Sequence, residues 1–156
     1  MMFNTLIIDD EPKARNALKN LLSQHCPEIN VIGEAGNVAE GKAAITELSP
    51  DLVFLDVQMP DGTGFDLLRQ LPEIDFKVIF ASAYDRFAIQ AFRFSAVDYL
   101  QKPVEPDNLI EACSRLKNPD PYDELNKKIE VLLSNTNNVE KITLPTLDGI
   151  IFVKIA

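Results

Sequence analysis

The sequence predicts an α/β fold, a doubly wound, five-stranded parallel sheet in which strands and helices alternate as (βα)5. Five short apolar runs of strand length are separated by segments whose apolar residues recur at helical spacing, which is typical of βαβ units. In addition, polar residues end or follow four of these runs, as expected when parallel strands end at one edge of a sheet. The chain of 156 residues, 46% of them hydrophobic, suits one domain with a little to spare.

The predicted strands are apolar runs bounded by polar or turn-forming residues. They cover residues 5–8, 30–34, 52–55, 77–81 and 97–100. Because a helical segment joins each strand to the next, the strands are expected to pair in parallel. Right-handed crossovers then place helices on both faces of the sheet.

Five helices are predicted from apolar spacing and from their start signals. The first begins at Pro12, a favoured first-turn residue, the second opens with Asn37 and Glu40 as a capping box, and the fifth follows Pro106. The third spans about 63–70 and the fourth about 86–94. The side chains predicted to face the core are Ala14, Ala17, Leu18, Leu21 and Leu22 in the first helix, Val38, Ile45 and Leu48 in the second, Phe65 and Leu68 in the third, and Leu109, Cys113 and Leu116 in the fifth.

The fourth helix is rich in alanine and phenylalanine. Phe87, Phe92 and Phe94 make it more aromatic than a solvated helix needs to be. Two interpretations stay open at this point. These side chains belong to the core, or they form a dimer face together with the fifth strand and the fifth helix.

A domain boundary is predicted near residue 118, because Pro119 and Pro121 stop the fifth helix and stiffen the exit. Residues 1–118 then form the first domain, and 119–138 form a linker with a short helix at 122–134. Residues 141–156 alternate in polarity and turn at 147–149, which predicts a β-hairpin. A lone hairpin is marginal in water, so residues 139–156 are expected to begin a second, incomplete domain.

The composition argues against several functions. A net charge of -9 and a pI near 4.6 do not suit binding of a polyanion such as DNA through this polypeptide. Cys26 and Cys113 lack CxxC spacing or a disulfide framework, which indicates reduced thiols. No run reaches the ~18 apolar residues of a membrane helix, and no signal peptide is evident. We therefore expect a cytoplasmic protein with no membrane partner.

Four predicted strands bring polar groups to the same edge of the sheet: Asp9 and Asp10, then Asp56, Ser82 and Lys102. Because ligands of open α/β sheets bind in the crevice at this edge, these groups are expected to share one site. Three carboxylates would repel one another without a cation, and their hard oxygen atoms suit Mg²⁺. A carboxylate is also a nucleophile toward phosphorus, so Asp56 can form an aspartyl phosphate while Mg²⁺ and the Lys102 ammonium neutralise the transferred oxygens.

Each of these residues also has a purely structural explanation. Asp9 and Asp10 supply favourable negative charge at a helix N-terminus, Ser82 can be a turn residue, and Lys102 can be a surface lysine. The arrival of all of them at one sheet edge favours the functional interpretation. His25, the single histidine, is interpreted instead as a favourable charge or cap at the C-terminus of the first helix.

The motifs at the strand ends resemble the receiver domain of bacterial two-component response regulators. They are Asp9-Asp10-Glu11, Asp56 with Met59-Pro60-Asp61-Gly62 behind it, Ser82-Ala83, and Asp98-Tyr99-Leu100-Gln101-Lys102-Pro103. The resemblance spans about residues 3–117 and implies the flavodoxin-like receiver fold. It also implies that Asp56 is phosphorylated by a sensor histidine kinase. The chain would then be no enzyme beyond its own phosphorylation and dephosphorylation at Asp56.

The resemblance implies a ligand set for Mg²⁺. By analogy the ion is held by Asp9, Asp10, Asp56 and the backbone carbonyl of Gln58. Asp10 is expected to be the most direct carboxylate partner and Asp9 to act partly through water.

A switch is also implied by the resemblance. Ser82 and Lys102 would bind the phosphoryl oxygens, the Lys102-Pro103 peptide bond would be cis, and Tyr99 would repack with Ser82 as a rotameric switch. The alternative for Tyr99 is simple packing on an edge strand with its hydroxyl in water. The switch would alter the face of the fourth helix, the fifth strand and the fifth helix, through which a homodimer is expected.

The tail from Lys141 to Gly149, with Phe152-Val153-Lys154, resembles the opening of a LytTR DNA-binding domain, as in LytR/AlgR-like response regulators. The resemblance implies transcriptional control, with DNA bound only through a C-terminal domain mostly missing from these residues.

Two other functions are compatible with a carboxylate nucleophile at a strand end. One is a Mg²⁺-dependent phosphatase or phosphotransferase of the haloacid dehalogenase type, although Gln58 stands where that family keeps a second aspartate. The other is a receiver that acts as a phosphorylation-independent interaction module.

Overall fold

The computed structural model describes residues 2–117, 141–146 and 149–154. In chain order the helices and strands of the first range are β1 Phe3–Ile8, α1 Pro12–His25, β2 Ile29–Ala35, α2 Val38–Leu48, β3 Leu52–Asp56, β4 Gln58–Met59, β5 Gly62–Thr63, α3 Gly64–Arg69, β6 Lys77–Ser82, α4 Ala88–Arg93, β7 Asp98–Gln101 and α5 Pro106–Lys117. Each of the five predicted strands and helices is therefore present, with its ends within a few residues of the predicted ones.

The main sheet has the strand order β2-β1-β3-β6-β7, and every neighbouring pair is parallel. This confirms the predicted doubly wound, five-stranded sheet. The chain moves from β1 outward to β2 and then returns across β1 to β3, so the strand order reverses between β1 and β3. The crevice at such a reversal is where open α/β sheets bind ligands.

Two apolar layers cover the sheet, because successive side chains of each buried strand point to opposite faces. Leu55 and Phe80 face the layer that contains α2, α3 and α4. Phe54 and Ile79 face the opposite layer, which contains α1 and α5. Burial on both faces fixes the strands and therefore the positions at which they end.

Most predicted core positions on the helices are confirmed, and the exceptions lie at the margins of the helix faces. Leu18 and Leu22 of α1 are buried, but Ala17 is exposed, so the buried face of α1 is narrower than predicted. In α2, Val38 and Ile45 are buried, whereas Leu48 is 39% exposed at the last residue of the helix. The prediction that Ala17 and Leu48 belong to the core is wrong.

Two helix starts differ in detail from the prediction. Asn37 caps α2 by accepting a hydrogen bond from the Glu40 N–H at 2.8 Å, as predicted. The Glu40 carboxylate, however, accepts from the Gly36 N–H at 3.1 Å, one residue before the position that a capping box uses. The segment predicted as the fourth helix begins with a 3-10 turn at Asp85–Phe87, and α-helix starts only at Ala88.

The aromatic side chains around α4 pack against the core. Phe92 is 5% exposed and belongs to the apolar layer under α2, α3 and α4. The Phe94 ring stacks on Phe65 with a centroid distance of 5.5 Å, and the Phe87 ring lies 6.3 Å from the same residue. These contacts favour the core interpretation over an exposed aromatic dimer face.

The C-terminal tail contains the predicted hairpin. Strands β8 Lys141–Thr146 and β9 Gly149–Lys154 pair antiparallel, with Thr146 opposite Gly149. The turn at 147–148 and the helix predicted at 122–134 lie outside the described residues. Among the described helices, none has the length and apolar character needed to cross a membrane.

Candidate functional site

The polar residues singled out from the sequence lie together at the carboxyl edge of the main sheet. Asp9 and Asp10 directly follow β1, Asp56 is the last residue of β3, Ser82 is the last residue of β6, and Lys102 directly follows β7. Since these strands are parallel neighbours in the sheet, their ends deliver the side chains to one place. The structure thus brings together the residues that the sequence pattern grouped.

An acidic cluster forms the floor of this site. Asp9, Asp10 and Asp56 each place one carboxylate oxygen within 4.8 Å of the others. Asp9 and Asp56 are both 6% exposed, and Asp10 is half-buried. The Lys102 ammonium lies 2.7 Å from Asp9 Oδ2 and 3.4 Å from Asp56 Oδ2. One ammonium therefore offsets part of the negative charge that three carboxylates concentrate here.

The surroundings alter the proton affinity of Asp56 and Lys102. Burial raises the pKa of Asp56 to about 7; the Lys102 ammonium opposes this change, while the Asp9 charge and a hydrogen bond with Asp10 add to it. Burial alone would lower the pKa of Lys102, but its hydrogen bond to Asp9 and the Asp56 charge outweigh burial and raise it. Without a further cation, the cluster thus resists full ionisation.

Ser82 and Lys102 are connected through the backbone. The Lys102 N–H donates to the Ser82 carbonyl at 2.7 Å, which extends the pairing of β6 with β7 by one residue. Ser82 is 1% exposed, and its Oγ accepts a hydrogen bond from the Tyr84 N–H at 3.1 Å. The Lys102-Pro103 peptide bond is cis. Ser82 therefore makes the local hydrogen bond of a turn residue, and it also places its hydroxyl group at the site.

Tyr99 lies beneath the site. It is 1% exposed, and its hydroxyl donates a hydrogen bond to the Tyr84 carbonyl oxygen. Burial raises the pKa of the Tyr99 hydroxyl to about 12. The alternative of a tyrosine with its hydroxyl in water is therefore wrong, because the hydroxyl has a backbone partner inside the protein.

Two residues that shape the loop after Asp56 had no role assigned from the sequence, although Asp61 belongs to one of the motifs named there. Asp61 accepts hydrogen bonds from the Val38 and Ala39 N–H groups at 2.8 and 3.1 Å, so the loop after Asp56 is anchored to the start of α2. Gly64 packs against the backbone of Asp56, where an added Cβ would lie 2.4 Å from the Asp56 carbonyl oxygen. Only a glycine fits this position. Gly64 lies four residues after Pro60, and its contact with Asp56 depends on the fold.

A cavity of about 370 Å³ opens above the acidic cluster. The residues that line it include Asp56, Gln58, Tyr84 and Lys102. The site is thus open to a small polar ligand even though Asp56 itself is almost fully covered. Two larger cavities, of about 510 and 500 Å³, lie at the opposite edge of the sheet around Asp51 and Phe76, away from the acidic cluster.

His25, Cys26 and Cys113 lie outside the site. His25 is exposed in the last turn of α1, as its structural explanation predicts. Both cysteines are free and buried in the layer between the sheet and the α1 and α5 helices. Burial raises the pKa of both thiols, which suits residues that serve packing.

Comparison with known proteins gives consistent matches. A family profile described as the response regulator receiver domain matches residues 5–114. An uncharacterized response regulatory protein of Vibrio vulnificus is 46% identical over 86% of this chain and 56% of its own length. The sensory transduction protein LytT of Enterococcus faecalis is 40% identical over 72% of this chain and 47% of its own. The transcriptional regulatory protein BtsR of Escherichia coli is 40% identical over 74% of this chain and 48% of its own.

The chain spans about half the length of these curated relatives. Among solved structures, the response regulator domain of Thermotoga maritima CheB is 27% identical, with a TM-score of 0.68 over 78% of this chain and 100% of that one. The NarL receiver domain of Mycobacterium tuberculosis is 26% identical, with a TM-score of 0.66 over 76% of this chain and 98% of that one.

Proposed function

Because this chain belongs to the family of response regulator receiver domains of two-component systems, we propose that it is a phosphorylation-dependent switch in which Asp56 is the phosphoacceptor. A sensor histidine kinase is the proposed donor. The observation that carries the proposal is the position of Asp56, which lines an open cavity and has a carboxylate oxygen 3.4 Å from the Lys102 ammonium.

The proposed transfer needs only a nucleophile and positive charge. An Asp56 carboxylate oxygen attacks the phosphorus, the bond between phosphorus and the donor's imidazole nitrogen breaks, and that nitrogen keeps the electron pair. Lys102, which already reaches the Asp56 carboxylate, would donate a hydrogen bond to a phosphoryl oxygen. The buried Ser82 hydroxyl offers a second donor at the same strand edge. Such transfers depend chiefly on positioning and electrostatics, which these fixed strand ends supply.

The acidic cluster fits Mg²⁺. Asp9, Asp10 and Asp56 supply hard carboxylate oxygens within 4.8 Å of one another, and Gln58 lies on the same cavity, with its backbone carbonyl as a proposed further ligand. Asp9 is already paired with Lys102 at 2.7 Å, which supports Asp10 as the more direct carboxylate ligand and a water-mediated role for Asp9. When bound, Mg²⁺ supplies positive charge that neutralises carboxylate and phosphoryl oxygens.

Tyr99 is the proposed link between the site and a distant surface. Phosphorylation would draw the Ser82 hydroxyl toward the new oxygens, and Ser82 now accepts a hydrogen bond from the Tyr84 N–H. Tyr99 holds the carbonyl of that same Tyr84, so a shift of this segment changes the packing of Tyr99. The surface of α4, β7 and α5 would then change and favour a homodimer.

Transcriptional control is proposed for the longer protein. The relatives named for sensory transduction and transcriptional regulation are matched over only 47% and 48% of their own length. The hairpin of β8 and β9 is the proposed start of a LytTR DNA-binding domain that follows residues 1–118 and a linker at 119–138. DNA would be bound through that domain, in the cytoplasm.

The proposal is tested by phosphorylation with radiolabelled acetyl phosphate in the presence of Mg²⁺. We expect the wild type to take up label and Asp56→Asn to take up none. Asp75→Asn is a matched control, since it changes an exposed aspartate at the opposite edge of the sheet, outside the acidic cluster, and should still be labelled. No label in the wild type would instead support the phosphorylation-independent interaction module. Repeated release of phosphate from generic phosphate esters would support the phosphatase alternative.

A further inference from the structure

A chain of polar contacts joins the acidic cluster to helix α1 and to strand β2. Arg15 lies near the start of α1, and its guanidinium Nη1 donates to the backbone carbonyl oxygen of Asp9 at 2.6 Å. The Nε of Arg15 donates to Glu34 Oε1 at 3.1 Å. Glu34 belongs to the edge strand β2 and lies opposite Ile7 of β1. Arg15 therefore connects the residue that ends β1 to a carboxylate that strand pairing holds in place.

The contacts of Asp9 show which of its groups Arg15 controls. The Asp9 N–H donates to the Ala35 carbonyl oxygen at 3.0 Å. Its Oδ1 accepts from the Glu11 N–H at 3.0 Å, and its Oδ2 lies 2.7 Å from the Lys102 ammonium. The fourth polar group of Asp9 is its carbonyl oxygen, and this is the group that Arg15 binds.

The Asp9 carbonyl belongs to the peptide group that joins Asp9 to Asp10. Because a peptide group is planar, a side chain that fixes this carbonyl also fixes the direction in which the backbone reaches Asp10. Asp10 is half-buried and lines the cavity above the acidic cluster. The bond from Arg15 is charge-assisted, and the Arg15 side chain is only 19% exposed, so water competes weakly for the carbonyl. Arg15 is thus placed to set how Asp10 enters the site.

We propose that Arg15 is a positioning residue for Mg²⁺ binding, which holds the peptide group between Asp9 and Asp10 while Glu34 holds Arg15. This inference rests on the proposed function of the acidic cluster as a Mg²⁺ site. Hydrogen-bond partners that orient metal ligands change metal affinity by about 10- to 100-fold. Arg15 acts on the backbone between two ligands rather than on a carboxylate, so we expect Arg15→Ala to weaken Mg²⁺ binding by a smaller factor, about three- to tenfold.

The charge of Arg15 alone would have the opposite effect. A cation near the acidic cluster repels Mg²⁺, so removing its charge would by itself strengthen Mg²⁺ binding. Weaker binding by folded Arg15→Ala protein therefore indicates lost positioning. Arg15→Lys keeps the charge, but its single ammonium lacks the separate nitrogens with which Arg15 reaches both Glu34 and Asp9. Arg15→Lys should therefore also bind Mg²⁺ more weakly than the wild type.

The test is isothermal titration calorimetry of the whole chain with magnesium chloride as the ligand. The variants are Arg15→Ala, Arg15→Lys, Glu34→Gln and the double variant Arg15→Ala with Glu34→Gln. Asp10→Asn shows whether the heat reports the acidic cluster, because it removes a proposed ligand. Lys19→Ala is the matched control, since Lys19 donates to the same Glu34 carboxylate at 2.8 Å but lies about one helical turn further along α1. Its Mg²⁺ affinity should stay within about twofold of the wild type, because it orients no ligand.

The double variant tests whether Glu34 acts through Arg15. Glu34→Gln should weaken Mg²⁺ binding in the wild-type background and have no further effect in the Arg15→Ala background. Equal weakening in both backgrounds would refute this coupling. Thermal unfolding of each variant in a chelator separates positioning from stability. A lower unfolding temperature of Arg15→Ala with an unchanged Mg²⁺ affinity would overturn the proposal, because Arg15 would then only stabilise the fold.

The outcomes separate this inference from the proposed function. No Mg²⁺ binding by the wild type, or binding that Asp10→Asn leaves unchanged, would refute the proposed Mg²⁺ site itself. Binding that depends on Asp10 but is unchanged or stronger in Arg15→Ala would refute only the role of Arg15. Equal weakening by Lys19→Ala would also overturn that role, since the loss of either cation beside Glu34 would then suffice.

Discussion

Replacing Asp56 with asparagine should stabilise the metal-free protein, and the gain should grow with pH. In the fold, burial and the neighbouring Asp9 raise the pKa of Asp56 from its ordinary value of 3.8 to about 7, against the opposing charge of Lys102. Between these two pH values the folded state binds more protons than the unfolded state. Wild-type stability therefore falls as pH rises through this window. Asparagine has nearly the same shape and no charge, so it avoids this loss.

The magnitude follows from the difference between 3.8 and about 7. At about 1.4 kcal/mol per pKa unit, full ionisation of Asp56 in the fold costs about 4 kcal/mol at pH values above 7. Near pH 4 the cost is small, because the carboxyl group is mostly protonated in the fold. We therefore expect Asp56→Asn to exceed the wild type by less than about 1 kcal/mol near pH 4 and by about 2–4 kcal/mol near pH 8.

The assay is urea unfolding followed by far-ultraviolet circular dichroism, with a chelator present and at several pH values between about 4 and 8. Asp61→Asn is the matched control, because it replaces an aspartate whose pKa is lowered rather than raised. Hydrogen bonds from the Val38 and Ala39 backbone lower the pKa of Asp61, so its carboxylate stabilises the fold above that pKa. This stability is present above the ordinary pKa of 3.8 and is lost only as pH falls through the lowered pKa, so the difference between the wild type and Asp61→Asn should be nearly constant over the assay range. A gain for Asp56→Asn that is constant with pH, or a loss near pH 8, would refute the electrostatic account of the cluster.

Three further substitutions test other parts of the structure. Gly64→Ala should cost about 1–3 kcal/mol and slow labelling, because its Cβ would lie 2.4 Å from the Asp56 carbonyl oxygen; urea unfolding and label uptake measure both effects. Arg115→Met should cost about 3–5 kcal/mol in urea unfolding, because it leaves the buried carboxylate of Asp98 without its ion-pair partner on α5. Tyr99→Phe should cost about 1 kcal/mol by loss of one hydrogen bond and weaken phosphorylation-dependent dimerisation in sedimentation, while labelling continues.

The first two of these substitutions each have a control in the same chain. The Cβ added by Gly36→Ala would lie 3.5 Å from its nearest neighbour, a nitrogen of Arg15. This variant should therefore fold and be labelled normally. Lys117→Ala breaks an ion pair in which the lysine side chain is 55% exposed, so it should cost at most about 1 kcal/mol. If Gly36→Ala destabilises the protein as much as Gly64→Ala, the packing explanation for Gly64 fails. If Lys117→Ala destabilises it as much as Arg115→Met, the burial explanation for Arg115 fails. For Tyr99→Phe, dimerisation that responds to phosphorylation as in the wild type would contradict the proposed link.

The fold and the grouping of the site residues could be predicted because both depend on short-range patterns. Apolar runs of strand length, alternating with helical spacing, require parallel pairing, and parallel strands share one carboxyl edge. Asp56 and Ser82 end two of these runs, so their proximity follows once the strand order is known. The strand order itself is known only from the structure, because the handedness of a connection fixes the face that its helix covers and not which strands are neighbours.

The remaining features depend on contacts between distant segments. Asp61 caps α2 across 23 positions in sequence, and no local pattern marks that pairing. The steric limit at Gly64 arises only when the loop folds back on Asp56. Leu48 has the helical spacing of a core residue but is 39% exposed. Its exposure could not be predicted, because periodicity does not show where the neighbouring layer of the protein ends. The roles of the site residues in phosphorylation stay predictions, since geometry shows which atoms meet and not which reaction they perform.

The most direct test of the account is to identify the residue that carries the phosphoryl group. After reaction with acetyl phosphate and Mg²⁺, borohydride reduces an aspartyl phosphate to homoserine, and peptide mass spectrometry locates the change. We predict homoserine at position 56 alone, and none when Mg²⁺ is chelated or when Asp56→Asn is used. Modification at His25 or at another aspartate, or an unmodified Asp56 in a protein that carries label, would contradict the central claim.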